Sequence, residues 1–295
     1  MAHTLKNKNI AIVIDTPSEN YNGSRFDWTG KIVTVEFQNI PLTTVEDKTE
    51  EDNYLLGKGL YNEFGIDSPV GFEETEIGGW FHKIGIGLLK KEEDLYLFHK
   101  KHPIKPAKFK VFSNTNHIVI SCKSELVNGY SYILRKEIKL HASSFSVHYS
   151  LKNTGIKTIN TNEYSHNFMA INNTLNGKEY SLEFPFELKQ TLFEETVNNE
   201  QKVNIGINRI TFNGSPKEQF FFSNLTGSKT KNIGWTLLNS NTNIGIQEST
   251  DFKTDKVNLW GSSHVISPEL FYKISINPGE LSEWSRFYEV FKINS

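Results

Sequence analysis

The sequence predicts an all-β protein made of two large antiparallel sheets packed face to face. Three observations carry that expectation: two-residue alternation of apolar and polar side chains, turn chemistry between the alternating runs, and scarcity of helical periodicity. In SFSVHYSLK, Phe145, Val147, Tyr149 and Leu151 alternate with Ser144, Ser146, His148 and Ser150, the pattern of a half-buried strand. KIVTVEF, HIVISCKS, YSYILRKEIKL, KEYSLEFPFEL, NRITFN, EQFFFSN and FYKISIN read the same way, which predicts roughly fifteen or more strands. Asn128-Gly129 separates two such runs and suits a type I′ hairpin, because both residues tolerate positive φ. Asn153-Thr154-Gly155, Asn176-Gly177 and Asn213-Gly214 punctuate later runs. The best helical candidate, Glu51 to Gly65, is short and weakened by its glycines. DKTEEDN (Asp47 to Asn53) reads as a solvated loop. No internal repeat and no Pro-, Gly- or Ser-rich linker divides the chain, so residues 1–295 are expected to form one domain.

Composition narrows the function classes. Aromatic residues make up 13% of the chain, with 21 Phe and 11 Tyr, so the core is weighted toward large rings. The 32 basic and 34 acidic side chains nearly cancel to a formal charge of −2, which gives no field to draw nucleic acid or an anionic membrane. Cys122 is the lone cysteine, so neither an intramolecular disulfide nor a thiolate metal cluster can form. His99 and His102 in FHKKH would fall on opposite faces of a strand, and no metal or cofactor is expected. Ile10 to Ile14 is too short for a leader, and no run reaches the ~20 apolar residues of a membrane span. A cytoplasmic protein is expected, as a monomer or a homodimer.

Four stretches could carry chemistry. In NEYSHNFMAIN, strand alternation puts Tyr164, His166 and Phe168 on one face. Such a setting suits a core histidine or a general acid among rings that stack on sugar faces, with a near-neutral pKa. Glu269 follows Pro268 in an apolar run, where Pro marks an edge, a bulge or a strand end. It is either an edge carboxylate facing water or a base whose pKa is raised by desolvation. In YNGSRFDWTG, a strand would set Arg25 and Asp27 on one face, as a salt-bridged surface or as hydrogen-bonding groups for sugar hydroxyls. GFEETEIGGWFHKIGIG contributes Glu73, Glu74 and Lys83; its Gly85-x-Gly87 lacks the rest of a phosphate loop and fits a bulge or close backbone approach.

Taken in order, GSRFDWTG, GFEE with FHKIGIG, EYSHNF, and LWGSSHVISPELF followed by NPGE resemble the aldose 1-epimerase (galactose mutarotase) superfamily over nearly the whole chain, most closely its uncharacterised mutarotase-like bacterial branch. The resemblance implies a β-supersandwich fold and cofactor-free interconversion of sugar anomers. It implies that His166 is the general acid toward the pyranose ring oxygen and Glu269 the base for the anomeric hydroxyl. Arg25, Asp27, Glu73, Glu74, Lys83, Tyr164, Asn167 and Trp260 are the substrate-binding candidates. An early His-Gly-Gly segment of the family has no counterpart here. The alternatives are therefore a non-catalytic carbohydrate-binding protein of the same fold and a polysaccharide lyase or hydrolase, for which Arg25 or Lys83 would accept a uronate.

Overall fold

The computed structural model describes residues 2–17, 19–49, 55–227, 230–231 and 233–293. Among them, strands assemble into an 11-stranded, a 10-stranded and a 3-stranded sheet, with every pairing antiparallel. The architecture is the predicted all-β sandwich. Among the described residues, helical structure is confined to two single turns, Ile171–Asn173 and Gln190–Leu192. No described helix is long and apolar enough to cross a membrane.

The 11-stranded sheet positions the site. Its main path runs from the N-terminal strands through Leu60–Phe64, Ile159–Asn167, Ile266–Ile276, Lys253–Gly261 and Phe220–Ser223 to Glu195–Val197. One face packs on the 10-stranded sheet, and apolar side chains from both, including Ile159, Leu259, Ile274, Leu134, Leu151 and Val290, fill the space between. A smaller cluster of Tyr21, Phe26, Trp28, Tyr61, Tyr96 and Phe168 covers part of the other face. There the segment 21–30 and the strands Trp80–Lys83 and Gly87–Lys90 lie over the sheet.

Several local expectations hold. Asn128 and Gly129 turn with φ of 53° and 87° between His117–Lys123 and Tyr132–Leu140, which pair along their length. Gly85 has φ +82°, and a Cβ there would stand 2.1 Å from Asp27 Oδ1, so glycine permits the close approach.

Three expectations fail. The helix expected over Glu51 to Gly65 is absent: Leu60–Phe64 is a buried strand in the sheet interior, and residues 51–54 lie outside the described residues, as do 50–53 of the charged loop. Segment 21–30 is not a strand. It is an irregular buried loop held by Tyr21, whose hydroxyl accepts from the backbone N–H of Arg25 (3.1 Å) and Phe26 (2.9 Å). Pro268 lies inside a central strand, between Ile159–Asn167 and Lys253–Gly261. Its missing N–H is tolerated where the ladder to Ile159–Asn167 is interrupted, and its carbonyl accepts from Asn167 Nδ2 at 2.7 Å.

Candidate active site

Register brings the two central residues together. Glu163 pairs with Tyr272, and Met169 bridges Ile266. Counting inward three residues from either pair sets His166 opposite Glu269 on neighbouring strands. Both side chains point to the sheet face away from the ten-stranded sheet and line a cavity of about 660 Å³. That volume lies within the ~300–1,000 Å³ of small-molecule sites.

His166 and Glu269 stand side by side. His166 Nδ1 is 3.0 Å from Glu269 Oε1 and 2.7 Å from Ser267 Oγ, and Ser267 Oγ donates to Glu269 Oε1 at 3.3 Å. Burial pushes the Glu269 carboxyl up to about 8, against the opposing pull of Arg25 and Ser267. Burial, reinforced by the Arg25 charge, holds His166 well below its ordinary 6.5, so the near-neutral imidazole expected from the sequence is replaced by a neutral one. At pH 7 the close contact is thus a neutral pair sharing one proton rather than an ion pair, because neither group can hold a charge cheaply in this enclosure. His166 Nε2 and Glu269 Oε2 have no hydrogen-bond partner among the described residues and are available to a ligand.

Rings fix the imidazole. Phe168 stacks on it with centroids 4.4 Å apart and planes 13° apart, and Trp260 meets it edge-on at 5.5 Å. Phe168 is fully buried, so it backs the imidazole and does not face the cavity. Tyr164 and Trp260 do line it, and Phe271 stacks on Tyr164 at 4.5 Å.

Arg25 reaches the cavity wall from the overlying loop. Its Nε donates to Glu63 Oε2 (3.1 Å) and its NH1 to Glu46 Oε1 (2.8 Å), while the guanidinium sits 4.4 Å from the Phe26 ring centroid. Burial disfavours this cation, but Glu46 and Glu63 more than offset that and hold it charged. Glu63 is the hub beneath: Tyr164 Oη donates to it at 2.8 Å and Lys83 Nζ at 3.0 Å.

The remaining substrate-binding candidates lie off the cavity. Asn167 is one residue from His166 and so faces inward, where it contacts Glu248 (3.0 Å) and Tyr288 (3.0 Å). Asp27 accepts from Thr29 N (2.7 Å) and Lys136 Nζ (3.2 Å) and is buried. Lys83 is fully buried, and besides Glu63 its Nζ bonds Tyr96 Oη (2.9 Å) and Gly65 O (3.3 Å). Glu73 and Glu74 are exposed in a turn, and Glu74 pairs with Lys157. Sequence reasoning missed Glu46, Glu63, Ser267 and Asn258. Alternation alone could have found two of them, since Ser267 lies two residues before Glu269 and Asn258 two before Trp260. His99 lines the cavity as well. Among the described residues, no group of three or more His, Cys, Asp or Glu is placed to hold a metal ion.

Neither the protein-family models nor the curated proteins give a match to this chain. Solved structures do. A galactose mutarotase related enzyme from Lactobacillus acidophilus is similar at TM-score 0.64 and 11% identity, covering 100% of this chain and 99% of that one. A galactose mutarotase-like protein from Lactobacillus casei gives 0.62 and 12%, covering 99% and 100%. An aldose epimerase homologue from C. elegans gives 0.60 and 10%, covering 100% of each. Full-length superposition at this identity establishes architecture: the chain has the β-supersandwich fold of the galactose mutarotase and aldose 1-epimerase-like proteins.

Proposed function

We propose that this protein interconverts the α and β anomers of a reducing sugar by acid/base ring opening, without a cofactor. The observation that carries the reading is the contact of His166 with Glu269 on a cavity wall. The two oxygens that exchange protons in this reaction, the ring oxygen and the anomeric hydroxyl, are bonded to the same carbon. An acid and a base serving them must therefore be neighbours.

The proton balance closes without net charge. The anomeric hydroxyl gives its proton to Glu269 Oε2, Glu269 Oε1 passes its own to His166 Nδ1, and His166 Nε2 protonates the ring oxygen. The C1–O5 bond breaks and the C1–O1 carbonyl forms. Rotation about C1–C2 and the reverse transfers give the other anomer. Ser267, within reach of both Nδ1 and Oε1, positions the pair for this exchange. Trp260 and Tyr164 offer ring surfaces to the pyranose, and Arg25 supplies positive charge near the developing oxyanion.

The test is proton NMR of freshly dissolved α-glucose and α-galactose with and without protein. Accelerated anomer exchange is expected. Unchanged exchange, with sugar-dependent shifts in protein resonances, would replace this reading with the sugar-binding alternative.

A further inference from the structure

The wall that holds His166 and Glu269 continues well beyond them. Glu269 pairs with Asn258 on the next strand, and one residue past the Phe222–Leu259 pair Ser223 lies beside Asn258. Ser223 pairs in turn with Glu195 on the last strand of the path. His166, Glu269, Asn258, Ser223 and Glu195 therefore form one polar row across five adjacent strands, and all five line the same cavity. From Glu269 to Glu195 the row crosses three strand spacings, about 14 Å. A pyranose seated on the acid/base pair reaches the next strand and no further.

The far part of the row has the makings of a sugar site. Asn258 is 6% exposed, and its Oδ1 accepts from the Asn224 N–H at 3.0 Å. Its Nδ2 donates to no described residue, so a nearly buried amide is left with a donor at the cavity. A buried donor of that kind gains from a ligand acceptor. On one side Trp260 and Phe221, cross-strand partners, flank the row with ring surface; both line the cavity and are only partly buried. Rings beside hydrogen-bonding groups match the alternating apolar faces and hydroxyl edges of a sugar.

We propose that the strands Lys253–Gly261, Phe220–Ser223 and Glu195–Val197 form a second subsite for a glycosyl residue, so that the ligand is a reducing disaccharide or longer oligosaccharide with its reducing end at His166 and Glu269. This rests on the anomer-exchange reading for the orientation of the ligand, while the subsite itself is read from binding alone. Phe221 stacks on the second ring, Ser223 Oγ and Glu195 meet its hydroxyls, and Trp260 and Asn258 Nδ2, on the strand between, stand at the junction of the two rings.

The test titrates glucose, galactose, maltose, cellobiose and lactose into the full chain by NMR or calorimetry, and follows anomer exchange in the same samples. At least one disaccharide is expected to bind about tenfold tighter than its constituent monosaccharide, and Phe221→Ala to reduce that ratio several-fold. Glu195→Gln, on an exposed edge strand, is expected to reduce the ratio in the same direction, so the test does not depend on one variant folding. A disaccharide advantage without accelerated exchange keeps the subsite and removes the reaction. Disaccharides binding no tighter than monosaccharides, a ratio unmoved by both variants, or no binding of any of the five sugars overturns the subsite.

Discussion

The two faces of the strand Ile159–Asn167 both carry buried polar side chains, yet they are finished differently. On the inner face each carboxylate oxygen is matched. Glu163 Oε1 accepts from Asn62 Nδ2 (3.0 Å) and its Oε2 from Trp284 Nε1 (3.2 Å) and Arg286 NH2 (2.7 Å). Glu248 takes Arg286 NH1 (2.7 Å) on one oxygen, and Trp235 Nε1 (2.7 Å) and Asn167 Nδ2 (3.0 Å) on the other. On the outer face, His166 Nε2, Glu269 Oε2 and Asn258 Nδ2 have no described partner. A saturated network joins the two sheets and leaves nothing to bind with; an unsaturated one, opening on a cavity, has capacity for a ligand.

The largest expected effect breaks the saturated side. Arg286→Met would leave Glu163 and Glu248 buried without their cation, at a cost of about 3–5 kcal/mol. Urea unfolding measures it, and a loss under about 1 kcal/mol would mean that the inner network is not structural in this sense. On the outer side the expectation reverses. Glu269→Gln removes the proton exchange and should slow anomer interconversion by about 10²- to 10⁴-fold. Its unfolding midpoint at pH 7 should equal or exceed that of the parent, because the buried carboxyl is protonated there and only the unfolded chain ionises it.

The pair's pH dependence sharpens the contrast. Just below 6.5, the ordinary value of histidine, the unfolded chain binds one proton on His166 and none on Glu269, and the folded pair also holds one, on Glu269, so its contribution is flat there. Above 6.5 the unfolded chain loses its proton, while the folded pair keeps one until about 8. Stability from this pair therefore falls as pH rises through that window, by at most about 1.4 kcal/mol per unit, and Glu269→Gln should abolish the slope. Anomer exchange should decline above about 8 as the proton is lost. The smallest effect belongs to Ser267→Ala, expected to slow exchange about tenfold. It should also move the alkaline limb upward, since the Ser267 hydrogen bond lowers the Glu269 pKa. A slower rate with an unmoved limb would make Ser267 a packing residue only.

Much of this molecule is legible locally. Alternation in SFSVHYSLK and the Asn128-Gly129 turn announce strands and a hairpin, because a strand's faces and a turn's φ values depend on residues adjacent in the chain. The same alternation already separates Tyr164 and His166 from Asn167, which makes the inward course of Asn167 readable from its position alone. Segment 21–30 was not readable in that way. Its aromatic and charged alternation resembles a strand, but Asp27 is tied to Lys136 and Arg25 to Glu63, and these contacts hold an irregular path that no local preference specifies.

The sequence by itself determined the all-β character, the strand faces, and the placing of an imidazole among rings and a carboxylate in an apolar run. Tertiary structure alone decided that His166 faces Glu269, that Arg25 is paired with Glu46 and Glu63, and that Asn258, Ser223 and Glu195 extend the same row. The physical reason is register: local alternation sets which way each side chain points, whereas its cross-strand neighbours come from segments far away in the chain and are selected by how the whole sheet pairs.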